Sequence, residues 1–289
     1  MIEKVYVRFI YLKYRIRNLL ARARNKMLHI FQQCNIRFKR DTLFSLRNLI
    51  LFNRPIRFEF REVLFFMVPK GKALAETWSR IRPKKPEIEF LFRYLQPKMN
   101  FIDIGAKAGF FTVAVAKRHP TVQVYAFEKC GRSFEVLCEN IQLNDLQNVN
   151  KYKTAMDNEM GVTALQANAS CARTTLDTFL TEHAISKVDV VKLDVDGEEL
   201  IVLQGARNLL AREDAPLILY ESSSVKTKKF NYHPVEIIWL LDEYDYSIFV
   251  LGFRGRKGVF RRLDRVYEGV FVAVRPSHPF YDKLQRDVL

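Results

Sequence analysis

The chain has 289 residues, of which 48% are hydrophobic and 27% are charged, and its formal net charge is +15. This composition is typical of a globular protein and excludes a disordered or collagen-like chain. The four cysteines form no CxxC pair and no evident disulfide framework, so a reducing compartment suits them. We therefore expect one domain of ordinary size with an appended segment.

The positive charge is concentrated in one part of the sequence. Residues 1–60 contain 14 Lys and Arg against three acidic residues, and so carry 11 of the 15 net charges. The remaining residues are nearly balanced, which is not the pattern of a uniformly basic nucleic-acid binder. The sequence thus predicts a basic helical extension over 1–60 and a folded domain over 61–289, and it disfavours nucleic acid as a partner.

Within this extension, residues 5–30 have apolar side chains every three or four positions, with Arg and Lys on the other faces. The pattern predicts a basic amphipathic helix. It has no run of about 18 uncharged apolar residues, as a membrane span would need, and its arginines interrupt any secretory-signal core. The helix could dock on an anionic membrane surface, on a partner or on the body. The predicted location is cytoplasmic, with peripheral attachment to the inner face of the membrane as one alternative.

Helical and strand patterns then alternate along the domain. A helix and one or two strands are expected within 42–68. Further helices are predicted over 86–95, 110–118, 131–144, 198–210 and 235–244. Strands are predicted over 101–104, 122–127, 150–155, 162–166, 188–195, 217–220, 247–251 and 266–274. Strands separated by helices indicate right-handed βαβ units, and therefore an α/β fold with a doubly wound, mostly parallel sheet. The closing strands, joined without a helix, predict an antiparallel edge.

The stretch Asn100–Gly109 is the centre of this pattern. An apolar strand ends there in small residues, and a helix begins at Phe110. The free N–H groups at such a helix start can hold a ligand at the carboxyl edge of a sheet, although a tight turn without a ligand is the alternative. Lys107 stands where a G-x-G-x-x-G motif has its second glycine. A cationic amino-acid ligand therefore suits this turn better than a pyrophosphate.

Acidic residues follow several of the predicted strands, and the carboxyl ends of parallel strands share one edge of a sheet. They are Asp103, Glu128, Asp194, Asp196 and Glu221. Glu128 comes about 20 residues after the glycine turn, where a carboxylate can take both hydroxyls of a ribose. The cluster could also hold Mg²⁺, but nothing in the spacing demands a metal.

Several motifs in this order resemble the FkbM-type S-adenosylmethionine-dependent methyltransferases. They are FIDIGAKAGFFT, VYAFE, TTLDTFL, VDVVKLDVDGEELIVLQGA and LILYES, between residues 90 and 274. The resemblance implies a Rossmann-like class I methyltransferase fold with a seven-stranded sheet, S-adenosyl-L-methionine as cofactor, and methyl transfer to a hydroxyl of a sugar, glycolipid or small metabolite. The alternatives are an RNA-binding methyltransferase and a non-catalytic pseudo-methyltransferase scaffold.

The resemblance also implies site residues. Those expected at the cofactor are Asp103, Gly105, Ala106, Lys107, Gly109, Glu128 and, on the adenine side, Asp157. From its position at the end of a predicted strand, Asp194 is expected to be the catalytic base, with Lys192 orienting or neutralising it and Glu199 nearby. The alternative is that Lys192, Asp194 and Glu199 form a buried structural brace. Asp177 and Gly197 match later motifs and would flank the substrate. The chain departs from the family at Lys107, where Asn is usual, and at Lys129, where Pro is usual.

Overall fold

A computed structural model describes residues 56–60, 63–67, 85–159, 171–253, 256–261 and 267–287. The amphipathic helix predicted over 5–30, the helix expected within 42–68 and the strand predicted over 162–166 lie outside these residues. The boundary between residues 60 and 61 therefore stays a prediction.

The bounds of the elements follow the predicted alternation. The strands are β1 (Ile56–Phe60), β2 (Val63–Met67), β3 (Asn100–Ile104), β4 (Gln123–Phe127), β5 (Val149–Tyr152), β6 (Thr154–Met156), β7 (Ala172–Thr174), β8 (Val190–Leu193), β9 (Leu217–Ser222), β10 (Ser247–Phe253), β11 (Arg256–Arg261) and β12 (Gly269–Val274). The helices are α1 (Lys85–Tyr94), α2 (Phe110–Arg118), α3 (Gly131–Leu143), α4 (Leu176–Glu182), α5 (Glu199–Gln204), α6 (Arg207–Ala211), α7 (Ser224–Thr227), α8 (Val235–Asp242) and α9 (Tyr281–Arg286), with a 3₁₀ turn at Lys228–Phe230.

Within the described residues, the main sheet has eight strands in the order β11-β10-β12-β9-β8-β3-β4-β5. Strands β5, β4, β3, β8 and β9 are parallel, and β12 lies antiparallel between β9 and β10. The predicted doubly wound, mostly parallel seven-stranded sheet is confirmed. Strand β11, which the sequence analysis did not predict, adds an eighth strand antiparallel to β10. Two smaller pairs, β1 with β2 and β6 with β7, complete the described strands.

The centre of the sheet is buried on both faces. All four residues of β8 are buried, and in β3 only Asn100 reaches partial exposure. A nearly continuous apolar run is expected for a parallel strand covered by helices on both sides. Helix α2 is buried from Phe110 to Ala116 and covers one face. Because β3 and β8 are parallel neighbours at this centre, their carboxyl ends lie side by side.

Two predicted elements are divided in the structure. The helix expected over 198–210 is broken into α5 and α6, and a Cβ at Gly205 would lie only 1.9 Å from the carbonyl oxygen of Asp157. Only a glycine fits so close to another backbone, and the Gly205 carbonyl oxygen accepts from the backbone N–H of Asp177 at 3.0 Å. The strand expected over 150–155 becomes β5, in the main sheet, and β6, which pairs with β7. Among the described residues, none of the helices has the length and apolar character needed to cross a lipid bilayer.

Candidate functional site

The glycine turn, residues 105–109, leads from the central strand β3 into α2. The backbone N–H groups of Gly105 and Ala106 both donate to the carbonyl oxygen of Phe127, at 3.0 and 2.9 Å. Gly105 has a φ of +77°, and a Cβ there would lie 2.2 Å from the backbone oxygen of Asp194. Only glycine combines this conformation with so close an approach. The turn is thus packed directly against the end of β8.

Glu128 ties this turn to the next helix. One carboxylate oxygen accepts from the backbone N–H of Lys107 at 2.8 Å, and the other from that of Cys130 at 2.7 Å. Burial raises the pKa of Glu128, while the two backbone amides and the nearby lysine charges act in the opposite direction. The carboxylate keeps further lone pairs for a hydroxyl-bearing ligand, because an ionised carboxylate accepts up to about four hydrogen bonds.

Asp103 and Lys192 form a buried ion pair beneath the turn. Lys192 Nζ lies 3.1 Å from Asp103 Oδ1, and Thr112 donates to Oδ2 at 2.7 Å. The two residues are register partners on β3 and β8, so their side chains emerge next to each other on the same face. The ammonium also lies 4.4 Å from the centre of the Phe111 ring. Lys192 therefore neutralises Asp103, whereas the sequence analysis expected it to act on Asp194.

Above this pair lies a second, more open group of charges, which we call the charge cluster: Lys107, Asp194, Asp196, Glu221 and Lys226. Lys107 Nζ lies 2.9 Å from Asp194 and 3.1 Å from Asp196. Lys226 Nζ lies 3.0 Å from Asp196, 3.4 Å from Glu221 and 4.0 Å from Asp194. The cluster joins the ends of β3, β8 and β9, as the strand-end acids predicted.

The charges of this cluster alter one another's protonation. Burial alone would raise the pKa of Asp196, but Lys107 and Lys226 together lower it below its ordinary value. Burial would likewise lower the pKa of Lys226, but Glu221 and the two aspartates raise it. In both groups the charged neighbours outweigh burial, and the net effect favours the ionised form. Among the described residues, no three or more His, Cys, Asp or Glu side chains are arranged so that they could hold a metal ion. In the charge cluster, ammonium groups lie between the carboxylates.

Glu199 lies under the loop that carries the two aspartates. It is 1% exposed, and its Oε1 accepts from the backbone N–H groups of Val195 and Gly197 at 3.1 and 3.3 Å. Burial raises the pKa of Glu199, against the effect of these amides. Tyr232 donates its hydroxyl to the carbonyl oxygen of Gly197 at 2.8 Å. In this geometry Glu199 fixes the shape of the loop, and any chemical role for it stays a prediction.

The remaining predicted residues have structural partners. Asp157, at the end of β6, pairs with Arg173 at 2.6 Å and accepts from the backbone of Asn158 at 2.9 Å. Asp177 accepts from two backbone N–H groups at the start of α6, at 2.8 and 2.9 Å. An adenine contact for Asp157 and a substrate contact for Asp177 therefore stay predictions.

Lys226 is the member of the cluster that sequence reasoning missed. It follows β9 in a Ser- and Lys-rich segment, ESSSVKTKKF, where several lysines look equivalent. The neighbouring Lys228 and Lys229 are exposed, whereas the Lys226 side chain is 21% exposed. No local pattern distinguishes the lysine that turns inward.

Comparison with known proteins gives two family matches. Residues 172–248 match the methyltransferase FkbM domain, and residues 84–180 match the TRM5/TYW2 methyltransferase domain. The resemblance to the FkbM-type methyltransferases is thereby confirmed over the first of these ranges.

A curated relative is tRNA(Phe) (4-demethylwyosine(37)-C(7)) aminocarboxypropyltransferase from Methanocaldococcus jannaschii, 46% identical over 48 residues. The match covers 17% of this chain and 19% of the relative, so the chain spans about a fifth of that relative's length. The prediction that disfavoured nucleic acid as a partner is wrong, since this relative is named for a reaction on tRNA(Phe). That prediction relied on the nearly neutral charge of residues 61–289, and overall charge does not report the shape of an acceptor site.

Among solved structures, TYW2 of M. jannaschii in complex with AdoMet is 16% identical, with a TM-score of 0.36, over 76% of this chain and 83% of that chain. A SAM-dependent methyltransferase from Aquifex aeolicus is 15% identical, with a TM-score of 0.42, over 71% of this chain and 98% of that chain. At this identity and TM-score, neither likeness bears on function.

Proposed function

We propose that this chain is an S-adenosyl-L-methionine-dependent methyltransferase. The observation that carries the proposal is the packing of the glycine turn between Glu128, at the end of β4, and Asp194, at the end of β8. Two methyltransferase family models match adjoining parts of the chain, residues 84–180 and residues 172–248, which overlap only over residues 172–180. These features lie at one edge of the sheet and suit a cofactor that carries a ribose and a cation. The Glu128 carboxylate can accept hydrogen bonds from the ribose hydroxyls, and the acidic residue at the end of β8 can lie near the cation.

The residues present fit this cofactor. Glu128 would hold the ribose hydroxyls, and the glycine turn would lie along the methionine part. The Lys107 ammonium, which stands where the family has a neutral Asn, is compensated by Asp194 and Asp196. A sulfonium near the cluster would therefore not meet an uncompensated positive charge. The bound cofactor supplies the activated methyl group.

Asp194 is our proposed general base. It lies at the end of β8, is 3% exposed and receives a hydrogen bond from Lys107. Methyl transfer is an in-line displacement, so the protein contributes mainly by orienting the acceptor and accepting its proton. Lys192 acts indirectly, because it pairs with Asp103 in the layer below.

Two classes of acceptor follow from the two family matches. The FkbM match favours a hydroxyl group, as the motifs first indicated. The TRM5/TYW2 match and the tRNA-modifying relative favour RNA. We give RNA precedence because two comparisons agree on it.

The cofactor site is tested by calorimetric titration of the full chain with S-adenosylhomocysteine. Micromolar binding is expected, and Glu128→Gln should weaken it about tenfold, through loss of a charged acceptor for the ribose. Lys129→Ala, at a neighbouring surface position, is the matched control and should bind like the wild type. If the wild-type chain does not bind the compound, the methyltransferase proposal is wrong, whatever the acceptor.

The reaction is tested with three acceptors: unmodified tRNA(Phe) transcript, tRNA(Phe) that carries 4-demethylwyosine at position 37, and a saccharide mixture. One reaction uses cofactor labelled in the methyl group, and a parallel one uses cofactor labelled in the carboxyl group of its methionine part. Methyl label in RNA, without carboxyl label, supports an RNA methyltransferase. Carboxyl label in RNA would contradict methyl transfer and indicate the transfer named for the relative. Methyl label in the saccharide alone would contradict RNA as the acceptor.

A further inference from the structure

Lys226 lies in α7, the four-residue helix that directly follows β9. Among the ion pairs of the described residues, its ammonium is within 4.0 Å of all three carboxylates of the charge cluster, Asp194, Asp196 and Glu221. Lys107 contacts two of them. Lys226 is thus the cation that joins the end of β9 to the end of β8.

The backbone of Lys226 is fixed to the acidic loop. A Cβ at Gly197 would lie 2.6 Å from the carbonyl oxygen of Lys226 and 3.1 Å from the Phe230 ring, so the two segments touch where only a glycine fits. Tyr232, at the far end of the same segment, donates its hydroxyl to the Gly197 carbonyl oxygen at 2.8 Å. Lys226 and the loop that carries the aspartates therefore form one packed unit.

The charge cluster carries a small net negative charge. Three carboxylates and two ammonium groups leave one net negative charge on the cluster. The other charged groups around it are engaged as well. Asp103 and Lys192 pair with each other, Lys129 pairs with Glu198, and Glu128 and Glu199 are held by backbone amides. Removal of Lys226 would double the net negative charge, and like charges at this separation favour protonation of a carboxyl group.

We propose that Lys226 is a positioning residue that holds Asp194 in its ionised form, so that Asp194 accepts the proton of the methyl acceptor. This inference rests on the proposed function. In that step Asp194 takes the proton while the acceptor atom bonds to the methyl carbon, and the electron pair of the broken S–CH₃ bond returns to sulfur. Lys226 donates no proton and contacts the reaction through Asp194.

The test uses cofactor binding, because it needs no identified acceptor. Affinities for S-adenosylmethionine and S-adenosylhomocysteine are measured calorimetrically on the full chain between pH 5 and pH 8. The two compounds differ by the methyl group and the sulfonium charge. Their affinity ratio therefore reports the charge of the cluster, and effects on the shared ribose and adenine cancel.

In the wild type the ratio should be constant over this range. In Lys226→Met the like charges of the cluster are less compensated, so that protonation of a carboxyl group is favoured and the preference for the sulfonium compound falls towards pH 5. Lys226→Arg should behave like the wild type, since it keeps the charge. Lys229→Met is the matched control, since it removes an exposed lysine of the same segment, and should also leave the ratio constant.

A second variant, in which the lost positive charge is compensated, keeps the test valid even if Lys226→Met alone is unstable. Lys226→Met combined with Glu221→Gln restores one net negative charge and should restore the constant ratio. Glu221→Gln alone should lower the preference for the sulfonium compound at every pH. A constant, unchanged ratio in Lys226→Met or in Glu221→Gln would overturn the role of Lys226. If the wild type binds neither compound, the proposed function fails, a result distinct from the failure of this inference.

Discussion

The site contains two layers of charge that differ in environment and partners. In the lower layer, Asp103 and Lys192 have side chains 0% and 5% exposed, and the pair is completed by the Thr112 hydroxyl. In the upper layer, the charge cluster shares five charges, and Asp196 is 50% exposed. A closed pair serves to hold strands together, whereas shared charges near solvent can exchange partners when a ligand binds.

The energetic consequences differ accordingly. Removal of one partner from a buried pair leaves an unpaired charge in a low-dielectric interior. A partly exposed ion pair loses little when broken, because water and salt replace the partner. The lower layer should therefore control stability, and the upper layer should control binding and reactivity.

The largest effect is expected for Asp103→Ala. It leaves the buried Lys192 without its carboxylate, and the free energy of unfolding should fall by about 3–5 kcal/mol. Urea denaturation measures this change. The double variant Asp103→Ala with Lys192→Met removes both charges and should recover a large part of the loss. A loss below 1 kcal/mol in the single variant, by the same measurement, would contradict the distinction between the layers.

The next effect concerns the glycine turn, which carries Lys107 of the upper layer. Gly105→Ala should lower the free energy of unfolding by about 2–4 kcal/mol, from a left-handed backbone and from a clash with Asp194. Gly269→Ala is the matched control, because Gly269 has a φ of +132° and nothing lies within 4 Å of its Cβ position. The cost at Gly105 should exceed that at Gly269 in urea denaturation. Equal costs would show that the turn is not packed on β8.

In the upper layer, Asp196→Asn should cost less than about 1 kcal/mol of stability at pH 7, because the carboxylate is half exposed. In the folded state, Lys107 and Lys226 lower the pKa of Asp196 below its ordinary value, although burial acts in the opposite direction. Its contribution is therefore fully present above the unfolded pKa and is lost as the pH falls through the folded one. The difference between wild type and variant should be constant from pH 5 to pH 7 and shrink below about pH 4. A difference that grows on acidification would contradict the pairing.

The smallest effect is expected for Lys129→Ala. Lys129 pairs with Glu198 at the surface and its side chain is 48% exposed. The change in the free energy of unfolding should be below about 1 kcal/mol and should shrink further in 1 M salt. A larger loss, measured by urea denaturation at low and high salt, would mean that this departure from the family stabilises the cofactor side of the fold.

The sequence was sufficient for seven of the eight strands of the main sheet and for the edge at which the site lies. The turn after β3 and the helix from Phe110 to Arg118 follow from local residues, because small residues and apolar periodicity act over a few positions. The strand-end acids could be assigned to one edge, since parallel strands all end there. The close contact at Gly205 was not predictable, because it is made with the backbone of Asp157, which is far away in sequence.

By itself, then, the sequence determined the α/β fold, the glycine turn and the carboxylates that share an edge with it. Tertiary structure decided which charges meet. Lys192 pairs with Asp103 because β3 and β8 are neighbours in register, and Lys226 turns inward because Gly197 lets its backbone approach the acidic loop. The partner of each charged side chain depends on contacts between residues that are tens of positions apart in the sequence. A local sequence pattern carries no information about such contacts.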